Sequence, residues 1–411
     1  MSHCRRSDLV ALTLIVAGIE RLRHPEPFLA EVRRQAAAIP AETEIVALPT
    51  AADGIGATLR RAFQQARGRF IITVDPDAAP PLAFVQDLWA RRDDAEILIA
   101  SRYVDGGRAQ MTAGRRVGSR LLTTAFRRAL SFGVSDVSSA LRLYHTRAVN
   151  ALPLQANGYD LLPEVLVRAY AAGWKVMEVP LVYVPNPDVR PGAPRKLTTA
   201  YARTAFGLWK LRNSIAAADY DFRAHDSVIP LQRYWQRRRF AHITELIGGE
   251  GAVLDVGCGS SHIIGSLPRG SVALDILPNK LRFARRFGVP LVRGSGAALP
   301  FADSTFPCVL CSQVIEHVPM QPSFIDELCR VLKPGGRLVL GTPDYDRKEW
   351  VYTEKLYGFF APGGYADEHI SHYTRAGLLD DFARRGYTHE ATRYILRGEL
   401  ILAFRKPAAP A

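Results

Sequence analysis

The sequence predicts an α/β protein of two domains, and three observations carry that prediction. Apolar, strand-like runs alternate with helical stretches twice, over about residues 9–184 and again over about 240–405. The chain has 411 residues, enough for two domains that each bury a core. Each half carries a strand that runs into acids or glycines, "VDPDAAPP" at 74–81 and "VLDVGCGSS" at 253–261. The boundaries drawn from this reading are a first domain over 1–196, a helical linker over 197–240 and a second domain over 241–407.

The opening "MSHCRRSDLVALTLIVAGI" places two arginines before an apolar run, as a short signal peptide would. A buried first strand is preferred, because the amphipathic "PEPFLAEVRRQAAAI" follows at once. The next strands are "TEIVALP", "RFIITVD" and "AEILIAS". The Pro-rich stretch 185–194 reads as a loop and 197–218 as a helix, with Tyr201, Phe206, Leu208 and Trp209 among Arg203, Lys210 and Arg212. That helix suits either a membrane surface or packing between domains, and the second is preferred. Strands of the second domain are "AVLDVG", "SVALDI", "PLVRGS", "CVLCSQ", "GRLVLGTP" and "ILAFRK". No apolar run reaches the roughly 20 residues that span a bilayer.

The formal charge of +13, from 53 Lys plus Arg against 40 Asp plus Glu, suits anionic partners without choosing among them. "RYWQRRRF" at 233–240 mixes arginine with aromatics, but it lies on the linker helix without a recognition motif, so no nucleic-acid partner is expected. Cys308 and Cys311 form a CxxC inside a strand, where a spacing of three sends the side chains to opposite faces. Buried thiols in a reducing, cytoplasmic compartment follow, with contact at the inner face of the membrane left open by the 197–218 helix.

"VLDVGCGSS" puts Asp255 at a strand end and Gly257 and Gly259 in the turn after it. Glycines there let main chain approach a ligand, and ligands bind at the carboxyl ends of strands in open parallel sheets. Asp275 ends another strand twenty residues on, the offset at which a carboxylate takes ribose hydroxyls. The expected ligand is a nucleoside. Ser260, Ser261 and His262 follow Gly259 in place of the third glycine that a pyrophosphate needs.

With "ALPFADSTF", "SQVIEHV", "ELCRVLKPGGRLVLGTP" and "DEHISHYTRAGLLDDFARRGY" following in order, residues 250–390 resemble the class I S-adenosylmethionine-dependent methyltransferases. The resemblance implies a Rossmann-like fold with S-adenosylmethionine as cofactor. Asp255, Gly257, Cys258 and Gly259 would line its methionine end, and Asp275 with Ile276 would hold the ribose. Ser295, Gly296 and Ala297 would sit by the adenine, with Ser312 and Gln313 closing the pocket. The family often has Asp at Ser295 and Phe-Asp at Phe306-Pro307. Methyl transfer needs alignment and sometimes proton removal, for which His317, Glu316, His369 and His372 are candidates. His317 is taken as catalytic, and His369 and His372 as acceptor-side residues.

In the first half, Asp75 and Asp77 at a strand end could share a hard cation such as Mg²⁺. Together with "DGIGATLRRAFQQARGRFI", "IASRYVDGG", "SDVSSALRLYHTRAV" and "YDLLPEVLVRAYAAGWKVMEVPLVYVP", the stretch from 10 to 200 looks like the family 2 glycosyltransferases, in their polyprenyl-phosphate branch. That implies a GT-A-like nucleotide-sugar domain using Mg²⁺ or Mn²⁺ at Asp75 and Asp77. Asp136 (taken as catalytic), Arg102, Arg142 and Glu164 would surround sugar and acceptor, with Arg190 and Lys196 near the phosphates. Of the family's opening Pro-x-Tyr-Asn-Glu pattern only Glu20 remains, and one strand and one helix are missing before "TEIVALP". Ala79 and Arg195 replace a Gln and a Ser of the family.

The expected function is methyl transfer fused to a glycosyltransferase-like domain, acting on a sugar or lipid-linked sugar. Sugar transfer from a nucleotide sugar to a polyprenyl phosphate is a second activity of that reading. The alternative keeps only the methyltransferase active, with the first domain a binding or scaffold module.

Overall fold

The structure, a computed structural model, describes residues 10–110, 113–130, 133–190, 199–320, 322–352, 354 and 369–408. The chain divides into two compact units, Met1–Arg212 and Asn213–Ala411.

The first unit runs β1 (Leu12–Ala17), α1 (Pro25–Ala37), β2 (Thr43–Leu48), α2 (Ile55–Gln65), β3 (Phe70–Val74), α3 (Phe84–Ala90), β4 (Ile97–Ser101), β5 (Arg108–Ala109), α4 (Ala113–Leu130), β6 (Arg142–His145), α5 (Thr146–Asn150), α6 (Leu161–Ala171), β7 (Val176–Pro180), β8 (Val182–Tyr183) and α7 (Thr199–Arg212). Six strands form one sheet in the order β2-β1-β3-β6-β4-β7. β1 is parallel to both neighbours, and β6 is antiparallel to β3 and β4. The opening apolar run is thus a central strand, with all six of its residues buried. Leu12, Leu14 and Val16 pack with Phe28 and Val32 of α1 on one face, and Ile15 and Ile71 with Phe63 of α2 and Leu166 of α6 on the other. A strand covered on both faces must be apolar nearly throughout. Its one polar residue, Thr13, donates to Glu44 Oε1 at 2.6 Å and accepts from the Gly68 amide at 2.9 Å. A short 3-10 helix (Ile19–Arg21) and α1 lie between β1 and β2, which pair directly. In α7, Leu208 is buried while Phe206 is exposed and stacks on Trp209. Among the described residues no helix is long and apolar enough to cross a membrane.

The second unit runs α8 (Tyr220–His225), α9 (Pro230–Ile247), β9 (Val253–Val256), β10 (Val272–Asp275), α10 (Pro278–Ala284), β11 (Leu291–Arg293), β12 (Phe306–Ser312), α11 (Pro322–Val331), β13 (Leu332–Pro343), α12 (Arg375–Arg384), β14 (Thr388–Ile395) and β15 (Glu399–Arg405). Its sheet has the order β11-β10-β9-β12-β13-β15-β14. The strands from β11 to β13 are parallel, and β15 then pairs antiparallel with both β13 and β14. The chain leaves β9 outward to β10 and β11, then returns to β12 on the other side. That reversal opens a crevice at the carboxyl ends of β9 and β12, where open α/β sheets bind ligands. Cys308 packs with Val253 and Leu310 on one face, and Cys311 with Leu254 and Val309 on the other, as a period of two demands. The stretch read as a linker is divided: α7 belongs to the first unit, α8 and α9 to the second. Pro230 opens α9 where its missing N–H costs nothing, and Ile243, Leu246 and Ile247 bury against the sheet.

Candidate active site

The crevice of the second unit has a volume of about 250 Å³ and gathers Asp255, Gly257, Asp275, Ser295, Gln313 and His317 from separate loops. Gly257 has φ +73°, and a Cβ there would lie 2.2 Å from Val314 Cγ2. Its amide and that of Cys258 both donate to the Leu274 carbonyl, at 2.8 and 3.0 Å, which locks the turn to β10. Asp275 accepts from the Gly259 amide at 2.9 Å and the Leu277 amide at 2.8 Å, so its carboxylate is fixed by main chain. Gly259, Cys258, Ile276, Ser295, Gly296 and Ser312 line the same crevice. A Cβ at Gly296 would strike the Phe324 ring at 2.4 Å, so this wall also needs glycine. Ala297 is exposed, and its amide donates to Ser295 Oγ at 3.2 Å.

Two acids face this space with no arginine or lysine bonded to them among the described residues. Burial, then the nearby charge of Asp275, pushes Asp255 up to about 7. Burial also raises Asp275, against the pull of its two amide donors. A group that supplies positive charge or hydroxyl donors here would relieve both. Ser312 Oγ and Gln313 Nε2 are buried without a hydrogen-bond partner among the described residues, two further places for a ligand's polar atoms. These features fit S-adenosylmethionine, with its ammonium, ribose hydroxyls and adenine edge.

One wall of the crevice was not foreseen. Lys280 is buried and donates to Asp221 Oδ2 at 3.1 Å and to the Ala217 carbonyl at 3.1 Å. Burial alone would raise Asp221, but Lys280, Arg239 and Ser260 bring it down to about 2. Arg239, also on the wall, makes a bidentate pair with fully buried Glu399 at 2.7 and 2.6 Å. Trp235 Nε1 donates to the same carboxylate. Two members of the "RYWQRRRF" cluster therefore serve the interior.

Beyond His317 lies a buried polar group. The Glu316 carbonyl accepts from the Ile370 and Ser371 amides at 2.9 and 3.1 Å, which pins the two segments together. Glu316 is fully buried; Oε2 accepts from Thr342 Oγ1 at 3.2 Å and Oε1 has no partner among the described residues. Burial pushes its carboxyl up to about 8. The His369 ring centre is 4.9 Å from that of His317, and its Nδ1 is 2.7 Å from Glu354 Oε1 and 2.9 Å from Tyr345 Oη. His372 stacks on Tyr345 with ring centres 4.0 Å apart.

In the first unit the expected site residues are largely engaged with other groups of the protein. The Arg21 guanidinium bonds Asp77 and lies 3.6 Å from Asp75, where a cation between the two acids would sit. As arranged, the pair does not fit a divalent ion. The adjoining cavity, about 30 Å³, has room for little more than a water. Asp136 is fully buried and holds Arg102 through bonds of 2.7 and 2.6 Å. Arg142 is fully buried and donates to the carbonyls of Ser139, Leu162 and Val137. Glu164 accepts from the Gln155 and Ala156 amides and from Arg168. Glu20 accepts from the Thr50 amide, and exposed Arg190 is tied by its amide to the Arg21 carbonyl. Lys196 lies outside the described residues.

Fold and crevice define a Rossmann-like α/β unit with a ligand site at its switch point. A family model described as "Methyltransferase domain" matches residues 254–340. The chain is 30% identical over 218 residues to the malonyl-(acyl-carrier protein) O-methyltransferase of Methylococcus capsulatus, covering 50% of this chain and 72% of that one. It is 32% identical over 200 residues to an uncharacterized methyltransferase of Mycobacterium sp. (strain KMS), covering 47% and 72%. Among solved structures, an S-adenosylmethionine-dependent methyltransferase from Mesorhizobium loti aligns with a TM-score of 0.33 at 17% identity, over 40% of this chain and 96% of that one. The chain belongs to the methyltransferases, and its second unit carries a class I S-adenosylmethionine-dependent methyltransferase domain.

Proposed function

We propose that the second unit methylates a hydroxyl of a sugar or lipid-linked sugar, and that the first unit binds that substrate or positions it without transferring sugar. The observation that carries the methyl-transfer half is the pair Asp255 and Asp275, buried at neighbouring strand ends with no arginine or lysine bonded to either among the described residues. Asp255 would meet the ammonium of S-adenosylmethionine and Asp275 its ribose, with Ser295, Gly296 and Ala297 beside the adenine. The bound cofactor supplies a methyl group already activated on a sulfonium. His317 is on the crevice wall, where it can accept a hydrogen bond from an acceptor hydroxyl.

The sugar-related substrate rests on the first half's resemblance and on the fusion of the two units. The binding role for the first unit is supported by Arg21, which already neutralises Asp75 and Asp77. Incubation with methyl-labelled cofactor and a panel of sugars, nucleotide sugars and polyprenyl-phosphate sugars, followed by chromatography, tests the first part. Label on a sugar hydroxyl is expected; label only on unrelated small molecules contradicts it. Nucleotide-sugar turnover with Mn²⁺ should be absent. Turnover that disappears in Asp75→Ala and Asp77→Ala would show the first unit to be a working glycosyltransferase.

A further inference from the structure

Among the described residues, two groups of three side chains have metal-ligand chemistry: His225, Asp226 and His262, and Glu316, His317 and His369. In the first, Asp226 is 59% exposed and bonded to Arg237 at 2.8 Å. The second is built differently. One donor atom from each of its residues lies within 4.8 Å of the other two. Glu316 Oε1 is wholly buried and lacks a partner among the described residues, although a buried carboxylate oxygen is costly without one. His369, with its side chain only 2% exposed, has Nδ1 against Glu354 and Tyr345. A carboxylate on one imidazole nitrogen is the support that orients a metal-binding histidine to use the other. The two segments are clamped by the bonds from Ile370 and Ser371 to the Glu316 carbonyl, and by Ser371 Oγ to the Val318 carbonyl at 2.6 Å.

We infer that Glu316, His317 and His369 bind one divalent transition-metal ion at the inner end of the crevice. Two imidazoles and a carboxylate form a set suited to Zn²⁺, Mn²⁺ or Fe²⁺ rather than Mg²⁺, which prefers oxygen throughout. Three protein ligands leave a position open, and His317 reaches the crevice wall, so that position faces the substrate space. With the ion bound, the lone-pair nitrogen of His317 is a ligand rather than a hydrogen-bond acceptor, and an acceptor hydroxyl at the open position gives up its proton to water more readily, with no change of oxidation state. This role rests on the methyl-transfer reading; the binding of the ion does not.

The test uses the full chain stripped with a chelator. Calorimetry with Zn²⁺ or Mn²⁺ alone, and visible absorption with Co²⁺, should show one ion per chain. His369→Ala should weaken binding at least tenfold. Glu354→Gln, which leaves all three ligands in place and is the milder change if His369→Ala fails to fold, should weaken it about tenfold. Absence of stoichiometric binding, binding unchanged in the folded variant, or binding lost instead in His262→Ala overturns the site. Calorimetry with S-adenosylmethionine on the same samples separates the two claims. Ion binding without cofactor binding upholds the site and removes the methyl-transfer reading. Cofactor binding without ion binding does the reverse.

Discussion

The two units solve the same local problem in opposite ways. Each has acids at or just beyond the carboxyl end of a buried parallel strand, Asp75 and Asp77 after β3, Asp255 and Asp275 on β9 and β10. In the first unit an arginine from the turn after β1 neutralises the acids, and about 30 Å³ remains beside them. In the second no basic side chain among the described residues is bonded to either acid, burial holds Asp255 near 7, and about 250 Å³ stands open. A carboxylate that already has its counter-charge is a structural element. One that lacks it, next to an open space, is prepared for a ligand.

The sharpest test of this contrast is the sign of two stability changes. Asp255 has an ordinary value of 3.8 and stands at about 7 when folded. A raised acid favours the protonated folded form, so stability is full below about 4 and is lost as pH rises toward 7. Asp255→Asn should therefore stabilise the ligand-free chain at pH 8, by up to about 4 kcal/mol in chemical unfolding. Arg21→Ala should do the opposite in the first unit, costing about 2 kcal/mol because two acids lose their shared partner. It should also open a second Mn²⁺ site, at Asp75 and Asp77, in addition to the one inferred at Glu316, His317 and His369, detectable by calorimetry as a rise in the number of ions bound per chain. If both substitutions destabilise equally, the contrast is broken. Gly257→Ala comes between them, with an expected cost of about 3 kcal/mol from the left-handed backbone and the contact with Val314. The smallest effect is on pH. Cofactor affinity should fall about tenfold, or about 1.4 kcal/mol, for each unit below 7, as the proton on Asp255 competes with the ammonium. Affinity flat across that range would remove Asp255 from the ammonium site.

The sequence made the strands readable because burial on both faces leaves little but apolar residues, as in "LTLIVA", and alternation placed Cys308 and Cys311 on opposite sides. The glycine turn was readable because positive φ restricts the residue type. The pairings of charges were not readable. Arg239 and Glu399 are 160 residues apart, and Arg239 sits in a run of arginines that resembles a solvated face. Lys280 and Asp221 are 59 residues apart, with nothing in either segment to announce the other. The same gap affected the first unit. Sequence picked out Arg102 and Asp136 as ligand-facing, yet they bond each other. Composition shows that a charge exists, whereas only the fold decides which charge it meets.

The most direct measurement is titration of S-adenosylmethionine into the full chain and into two variants. One molecule should bind per chain, about 10–100-fold more weakly in Asp275→Ala and unchanged in Asp75→Ala. Undiminished binding in Asp275→Ala, or a loss confined to Asp75→Ala, would contradict the assignment of the nucleoside to the second unit.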